Sequence, residues 1–568
     1  MSMAKMKGSW KVRLALGTVG KILMMGVNKA AKNCALTEEQ TLRGILRYAK
    51  DSEWGKLHKF SYILAAKTPE ELFKRWQENV PPAEYEDLAP FIERHKNGES
   101  NVLFPGKPMM YATTSGTTKN PKWIPITNRY YKNVYSKISK IWLYSAYKYR
   151  PSVFDDAGTS IVGKVIEDYA PDGTICGSVS GIVRRDLPQF IKAIYAEHDD
   201  VYAINDHRAR YYCIVRMGLE RDIRILVTPN PSTIVELQQS VNDMFEDYVT
   251  DIEKGTLSSN LNIEEEFRQT ISSGLKPNPQ RAAELRALKE KYGILQPKHY
   301  WPNLQVLSTW KCGNTYVYMD KLKDAFPEEM FHQEFGFFAT ECCPGKVLDE
   351  GKATTIFAHM NYLEFVPEEE LHLPHSQQTF LRMSQLQKGK RYAMFVTTYA
   401  GLYRYNMNDL VEVTGFYGTL PNIEMVQKIN GIISMTGEKL HERQFLEAVQ
   451  HAQKEMNLTV NFFVGFADLQ DSVYHFYYEF TESDLPRQQV KDFTTLVDNK
   501  LKELNIEYHA KRESHRIKHP HTHLLQENSF QKFKEMSVAQ GARDAQFKLN
   551  RLMQDEKRHG MFKELIKK

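Results

Sequence analysis

The sequence predicts an α/β protein of more than one domain. A large N-terminal αβ part carries mixed sheets and a small, barrel-like β-rich piece, and a compact α+β domain follows at the C-terminal end. Three observations lead there. At 568 residues the chain is too long for one hydrophobic core to organise. Leu304-Gln305-Val306-Leu307-Ser308 is a short apolar run ending in the turn Lys311-Cys312-Gly313-Asn314, the form of a buried strand that delivers a ligand loop at a sheet edge. Beyond residue 440 the apolar spacing passes from helical to alternating and back, the pattern of a separate α+β unit.

The elements follow in chain order. Lys5, Lys7, Lys11 and Arg13 precede an apolar stretch from Leu14 to Val27 that Lys21 interrupts. No small-residue cleavage site follows it, so an amphipathic helix packed on the body is expected, with peripheral membrane contact as the lesser alternative. Leu36 to Pro81 has helical spacing. Within it Thr68-Pro69-Glu70-Glu71 starts a helix with a hydroxyl cap, a first-turn Pro and early acids, and Leu72, Phe73 and Trp76 share its apolar face. Pro82 to Gly106 reads as a short helix and a turn-rich lead-in. A Tyr- and Lys-rich helix is expected from Thr127-Asn128 to Tyr149, then strands at Ser160 to Val165 and Ile223 to Thr228. Between these, D-G-T-I-C-G-S-V-S-G at 172–181 suits either a loop approaching a ligand closely or a solvent loop. Leu237, Val241, Met244 and Phe245, and then Ala282, Leu285, Leu288 and Tyr292, recur at helical spacing.

Ala353 to Gly418 turns β-rich, with strand-like runs at Ile356 to Ala358, Tyr362 to Val366 and Tyr392 to Thr398, and a small curled antiparallel sheet is expected. Phe445, Leu446, Val449 and Met456 then mark a helix, Tyr474, Phe476, Tyr478 and Phe480 a strand, and Val490, Phe493, Val497, Leu501 and Leu504 another helix. His519-Pro520-His521-Thr522-His523 lacks the accompanying Cys or acid spacing of a metal site and reads as a solvated loop.

Composition excludes several classes. Lys and Arg number 75 against 70 Asp and Glu, and no Lys/Arg block sits among aromatics, so no nucleic-acid partner is expected. No apolar run reaches the roughly 18–20 residues of a membrane span, so no stable membrane insertion is expected. Cys34, Cys176, Cys213, Cys312, Cys342 and Cys343 form no C-x-x-C pair and read as inert thiols of a cytoplasmic protein.

The stretch that carries chemistry is Tyr111 to Pro125, Y-A-T-T-S-G-T-T-K-N-P-K-W-I-P. Thr114, Ser115, Thr117 and Thr118 surround Gly116, and Lys122 follows. Backbone N–H groups and hydroxyls around a turning Gly form a concavity suited to a polyphosphate, and a Lys supplies the charge. The spacing is not that of a Walker A loop. It resembles the phosphate loop of the acyl-adenylate-forming superfamily, approximately [ST]-S-G-T-T-G-x-P-K, with Lys119 in place of the second Gly. The preceding Y-E-D-L-x-P-F-I-E-R, from Tyr85 to Arg94, and the following K-W-I-P narrow the resemblance to the Gretchen Hagen family of acyl-acid amido synthetases. Its plant members conjugate auxin, jasmonate or benzoates to amino acids.

The resemblance implies a nucleotide site spread along the chain. Gly313 would lie against adenine. E-F-G-F-F-A-T-E at 334–341 matches an aromatic-x-[AS]-[ST]-E element, in which Phe337 stacks on adenine beside Ala339, Thr340 donates to the α-phosphate and Glu341 holds Mg²⁺. G-L-Y-R-Y-N-M-N-D at 401–409 resembles G-x-Y-R-x-x-D, which puts Tyr403 in the nucleotide site and Asp409 on the ribose hydroxyls. Asn408 replaces the usual Gly there, a change that Asn tolerates because it visits the left-handed region. Lys428 and Asn430 stand at a hinge, T-G-E-K-L at 436–440 opens the small domain, and N-S-F-Q-K to Q-F-K at 528–548 brings Lys548 to the phosphates. The implied fold is firefly-luciferase-like, with residues 1–427 binding ATP and the acyl acid and residues 428–568 forming a small mobile domain.

The implied reaction uses ATP and Mg²⁺ to turn a small carboxylic acid into an acyl adenylate, and an amine, an amino acid by resemblance, then takes the acyl group. Lys122, Glu341 and Lys548 would carry the charge of that displacement. Two alternatives stay open: an acyl-CoA ligase sharing the adenylation step, and a non-catalytic nucleotide-binding protein. The sequence names neither acid nor amine.

Overall fold

The structure, a computed structural model, describes residues 9–567 other than 114–121, 312–321, 323, 372, 430, 431, 434, 436, 437, 439, 470, 483, 514–516 and 540–548. The chain divides into two compact units, Met1–Met407 with Val411–Met425, and Asn408–Leu410 with Val426–Lys568.

The first unit opens with α1 (Ser9–Lys32), α2 (Cys34–Ala49), α3 (Pro69–Asn79) and α4 (Tyr85–Lys96). α3 starts as its sequence dictates: the Thr68 hydroxyl accepts the Glu71 N–H, Pro69 occupies the first turn, and Leu72, Phe73 and Trp76 are buried. β1 (Met110–Thr113) and β2 (Trp123–Ile126) form an antiparallel pair with Thr113 opposite Trp123. The two-residue strands Ile175–Cys176 and Asp168–Tyr169 extend that sheet beyond β1. α5 (Ser136–Tyr149) follows.

β3 (Ala157–Ser160), β4 (Ile223–Val227), β5 (Val306–Thr309) and β6 (Phe331–Glu334) are neighbours in that order, each parallel to the next. Parallel strands need crossovers that cover both faces. Accordingly Leu226 and Leu307 pack with Tyr212, Leu237, Val249 and Leu285 from the connecting helices, while Ile225, Val227 and Val306 pack with Val12 and Leu16 of α1 and Trp142 of α5. The strand expected at Ser160 to Val165 lies earlier, at Ala157–Ser160. Beyond it the chain passes so close to Gly177 and Gly181 that a Cβ at Gly177 would stand 2.0 Å from the Val165 carbonyl oxygen, and one at Gly181 2.5 Å from that of Gly163. These two glycines of the 172–181 segment therefore admit backbone.

The β-rich stretch is one seven-stranded sheet: β7 (Gly345–Lys346), β8 (Thr354–Ile356), β9 (Tyr362–Pro367), β10 (Leu381–Arg382), β11 (Arg391–Thr397), β12 (Tyr405–Tyr417) and β13 (Leu420–Lys428), in the order β10-β9-β11-β12-β13-β8-β7. Its strands share with α2, α3 and the β1–β2 pair a common core that includes Ile45, Trp76, Met110, Ile124, Tyr362, Val396 and Val411.

In the second unit β14 (Val460–Asp468) and β15 (Val473–Phe480) are antiparallel, with β16 (His521–Leu524) parallel beside β15 and β17 (Leu552–Met553) parallel beside β14. Helices Glu442–Met456 and Arg487–Leu504 bury the apolar rows anticipated from their spacing. The solvated loop expected at His519–His523 is corrected in part: His521–His523 belongs to an edge strand, and His523 Nε2 lies 2.9 Å from His475 Nδ1.

The five described cysteines, Cys34, Cys176, Cys213, Cys342 and Cys343, are all buried. Burial pushes the Cys34 and Cys213 thiols up to about 12 and that of Cys343 to about 11, far from the range of a reactive thiolate. Among the described residues no helix is long and apolar enough to cross a membrane.

Candidate active site

The hydroxyl-rich loop, with Thr114, Ser115, Gly116, Thr117 and Thr118, lies outside the described residues. Its two ends are fixed, because Thr113 and Trp123 face each other across the β1–β2 ladder. The Thr113 hydroxyl is buried at the mouth of the loop with no hydrogen-bond partner among the described residues. Lys122 stands on the other side, half-buried, its ammonium 5.4 Å from the centre of the Tyr85 ring.

Tyr85 also accepts the Trp123 N–H at 2.8 Å through its hydroxyl, so one side chain orients both Lys122 and the start of β2. It can do so because the first turn of α4 is anchored. Glu84 and Asp87 form a reciprocal capping box, with the Glu84 N–H on Asp87 Oδ2 at 2.8 Å. Glu84 Oε1 also accepts the Asn406 amide at 2.7 Å, and Ala83 exchanges backbone bonds of 2.9 Å with Arg404 and Asn406. Here the Y-E-D-L motif acquires its physical content: it fastens the loop's lysine to β12.

A second group of candidates follows the C-terminal ends of β5 and β6. Glu334, buried at the end of β6, accepts the Lys311 N–H at 2.6 Å with one oxygen and the Gly336 N–H at 2.9 Å with the other. One carboxylate thus clamps the loop that leads to Gly313, itself outside the described residues, to the loop that carries Phe337. Burial raises its pKa, and the two amide donors work against that shift. The Trp310 indole donates to the Gly336 carbonyl at 2.9 Å, and the Phe337 N–H is held by the Thr354 hydroxyl at 2.8 Å. Sequence reasoning gave Glu334 no role, although an acid ending the buried strand F-H-Q-E two residues before Gly336 was a signal for a loop acceptor.

Phe337, Ala339, Thr340 and Glu341 are all half-buried. The Ala339 N–H closes a turn on the Cys342 carbonyl at 3.0 Å, and the Tyr135 hydroxyl donates to the Thr340 carbonyl at 3.0 Å. The Glu341 carboxylate acts electrostatically on Tyr405: burial, then the charge of Glu341, holds that phenol far above its ordinary range, with Glu84, Glu86 and Tyr85 contributing less. The structure thus sets Lys122 against Tyr85, and both Glu341 and Tyr85 act electrostatically on Tyr405. A hard cation such as Mg²⁺, which is commonly held by one or two carboxylates and the substrate's own phosphates, fits Glu341 as a single, partly exposed oxygen donor.

Asp409 is buried within β12, and Asn408 before it takes φ +53, the left-handed conformation anticipated for an Asn in Gly's place. Tyr403 stands apart from the other candidates. Its ring is buried among Trp54 and Phe60, and its hydroxyl donates to the Leu103 carbonyl at 2.6 Å, leaving no open face for a nucleotide. The rest of G-L-Y-R supports the same turn. A Cβ at Gly401, at φ +87, would meet Leu103 and Phe104 at 2.8 Å, and Arg404 Nε donates at 2.9 Å to the buried Glu364. Lys428 closes β13, with only its backbone described, and Lys548 lies outside the described residues.

Sequence models of three domains match in succession: the GH3 family N-terminal domain at residues 24–331, the central domain at 354–428 and the C-terminal domain at 443–557. A jasmonoyl–L-amino acid synthetase of Nicotiana attenuata is 24% identical over 548 residues, 92% of this chain and 91% of that protein. The 4-substituted benzoates–glutamate ligase of Arabidopsis thaliana is 24% identical over 445 residues, 74% of this chain and 75% of that one. Among solved structures, the GH3.15 acyl acid amido synthetase superposes with a TM-score of 0.82 at 20% identity over 95% of both chains. A 2-hydroxyisobutyryl-CoA ligase in complex with 2-HIB-AMP superposes at 0.51 and 12% identity over 93% of this chain and 91% of that one, which shares the fold more loosely.

Proposed function

We propose that this chain, which belongs to the GH3 family, activates a small carboxylic acid with ATP and joins its acyl group to an amino acid. The observation that carries the reading is the succession of the family's three domains, in order, between residues 24 and 557. The relatives named as jasmonoyl–amino acid and benzoate–glutamate synthetases supply the reaction class.

In the first step a carboxylate oxygen attacks the α-phosphorus of ATP, the bond to the β-phosphate oxygen breaks, and pyrophosphate leaves. Such a displacement needs charge neutralisation more than proton transfer. We assign the departing phosphates to Lys122 and the loop Thr114 to Thr118, the α-phosphate to Thr340 and Lys548, adenine to Phe337, Ala339 and Gly313, and the ribose to Asp409. Mg²⁺, when bound at Glu341, would neutralise phosphate charge. In the second step the amine attacks the acyl carbon, AMP leaves with the bonding electrons, and the ammonium proton is lost. Residues 1–427 are assigned to binding ATP and acid, and residues 428–568, beginning at Lys428, to the change of state between the steps. The cytoplasm, which supplies ATP and amino acids, is the compartment this reading implies.

ATP–pyrophosphate exchange against aryl, indole and fatty carboxylic acids, followed by mass spectrometry with mixed amino acids and coenzyme A, tests the reading. Acid-dependent exchange and an amide product are expected. A thioester product would reassign the chain to the CoA ligases, and ATP binding with no exchange for any acid would leave a nucleotide-binding protein.

A further inference from the structure

α1 is committed on one side only. Val12, Leu16, Val27, Ala30 and Ala31 are buried, and Gly20 lies against the Tyr144 ring, where a Cβ would come within 2.2 Å of ring carbon. The opposite stripe, Leu14, Thr18, Lys21, Ile22, Met25, Lys29 and Lys32, recurs every three or four residues and faces solvent. Its apolar members are strongly exposed, Leu14 at 63%, Ile22 at 59% and Met25 at 68%, with Val19 beside them at 39%. Single exposed apolar residues are ordinary, but a row along three turns of one helix is a surface that something covers.

Charge selects the occupant. Residues 1–37 contain seven Lys and Arg and no Asp or Glu. Arg13 is consumed by Asp155, whereas Lys21, Lys29 and Lys32 are exposed along the apolar row. The first acids beyond the helix do not offset them: Glu38 is buried on Ser384, and Glu39 pairs with Arg43. A second copy of the chain would bring this same basic face against itself, and like charges would oppose the contact. Phe416, 42% exposed, lies next to Tyr417, whose hydroxyl donates to Asn28 at 2.7 Å, so the tip of the β12–β13 hairpin adds apolar surface beside the same helix.

We infer that α1 seats the protein on an anionic lipid bilayer, with Leu14, Ile22 and Met25 entering the boundary between headgroups and acyl chains and Lys21, Lys29 and Lys32 meeting lipid phosphates. The association is peripheral and reversible. It is independent of the reaction assigned above.

Co-sedimentation of the full chain with vesicles of phosphatidylcholine alone, or of phosphatidylcholine mixed with phosphatidylserine, tests it. The protein should pellet with the mixed vesicles and stay in solution with the neutral ones, and rising salt should weaken the binding. Two variants separate the contributions: Ile22→Ser with Met25→Ser removes apolar area and keeps the charge, and Lys21→Glu with Lys29→Glu reverses the charge. Each should weaken binding by about tenfold or more, with an unchanged melting temperature reporting an intact fold. A full chain that never pellets, or variants that bind as well as the parent, would overturn the inference. So would a dimer in size-exclusion chromatography that the Ile22→Ser, Met25→Ser variant dissociates, since a second copy would then cover the helix.

Discussion

Glu364 and Glu341 are two carboxylates of the first unit, held in opposite ways. Glu364, on β9, is almost completely enclosed and accepts from Trp76 Nε1 at 3.0 Å, Gln77 Nε2 at 3.0 Å and Arg404 Nε at 2.9 Å. Glu341 sits on an irregular turn, keeps part of its surface in solvent, and is placed by bonds its neighbours make: Tyr135 to the Thr340 carbonyl and Ala339 to Cys342. The difference teaches a division of labour. Lys122, Thr340 and Glu341, assigned to the substrate, keep part of their surface accessible, and the rigidity they need is supplied by buried groups that touch nothing but protein.

The sharpest way to break the comparison is to remove Arg404. Arg404→Ala leaves the Glu364 charge enclosed without its partner, a loss of about 3–5 kcal/mol of stability by analogy with other buried pairs. Urea denaturation should show it as a lower midpoint. The expected kinetic effect in the fraction that stays folded is smaller and confined to KM for ATP, because Arg404 acts through the turn that precedes Asp409. A loss of kcat with unaltered stability would place Arg404 among the groups that touch substrate.

Glu341→Ala should give the reverse pattern. Removing an assigned charge-neutralising group should slow adenylation by about 10²–10³-fold, as loss of one electrostatic stabiliser typically does. A half-buried side chain on a turn should leave the melting temperature within a degree or two of the parent, in keeping with about 0.5 kcal/mol for surface changes. Pyrophosphate exchange and a thermal melt on the same sample check both halves. A large fall in melting temperature would move Glu341 to the supporting class and remove it as the Mg²⁺ candidate.

This division also explains what the sequence could reveal. Lys122, Thr340, Glu341 and Asp409 could be named as candidates because each sits in a short motif whose residues are contiguous. Their supports could not be, because the partners are remote: Tyr403 bonds Leu103 across 300 positions, and Arg404 finds Glu364 across 40. Helix α3 was legible to its cap because its signals are local. The strand placed at Ser160 to Val165 was misjudged because Ile161 to Val165 has β-type composition, while its path is set by a close crossing over Gly177 and Gly181 that no local pattern announces. The same crossing accounts for part of a glycine-rich segment that had stayed open between ligand loop and solvent loop.

Tyr85 tests where the line between contact and support falls, with the smallest expected effect. Its hydroxyl takes the Trp123 N–H, and its ring lies 5.4 Å from the Lys122 ammonium, so it could act by anchoring β2 or by orienting the lysine. Tyr85→Phe removes the first and keeps the second. A single neutral hydrogen bond at a partly exposed site is worth about 0.5–1.5 kcal/mol, so a modest drop in melting temperature is expected. KM for ATP should stay within about threefold of the parent, since an aromatic face still attracts the ammonium by about 0.5–1 kcal/mol. Tyr85→Leu removes both contacts, and KM should then rise further than the additional loss of stability accounts for. If Phe and Leu raise KM equally, the hydroxyl and its hold on β2 position Lys122, and the ring is only part of the core.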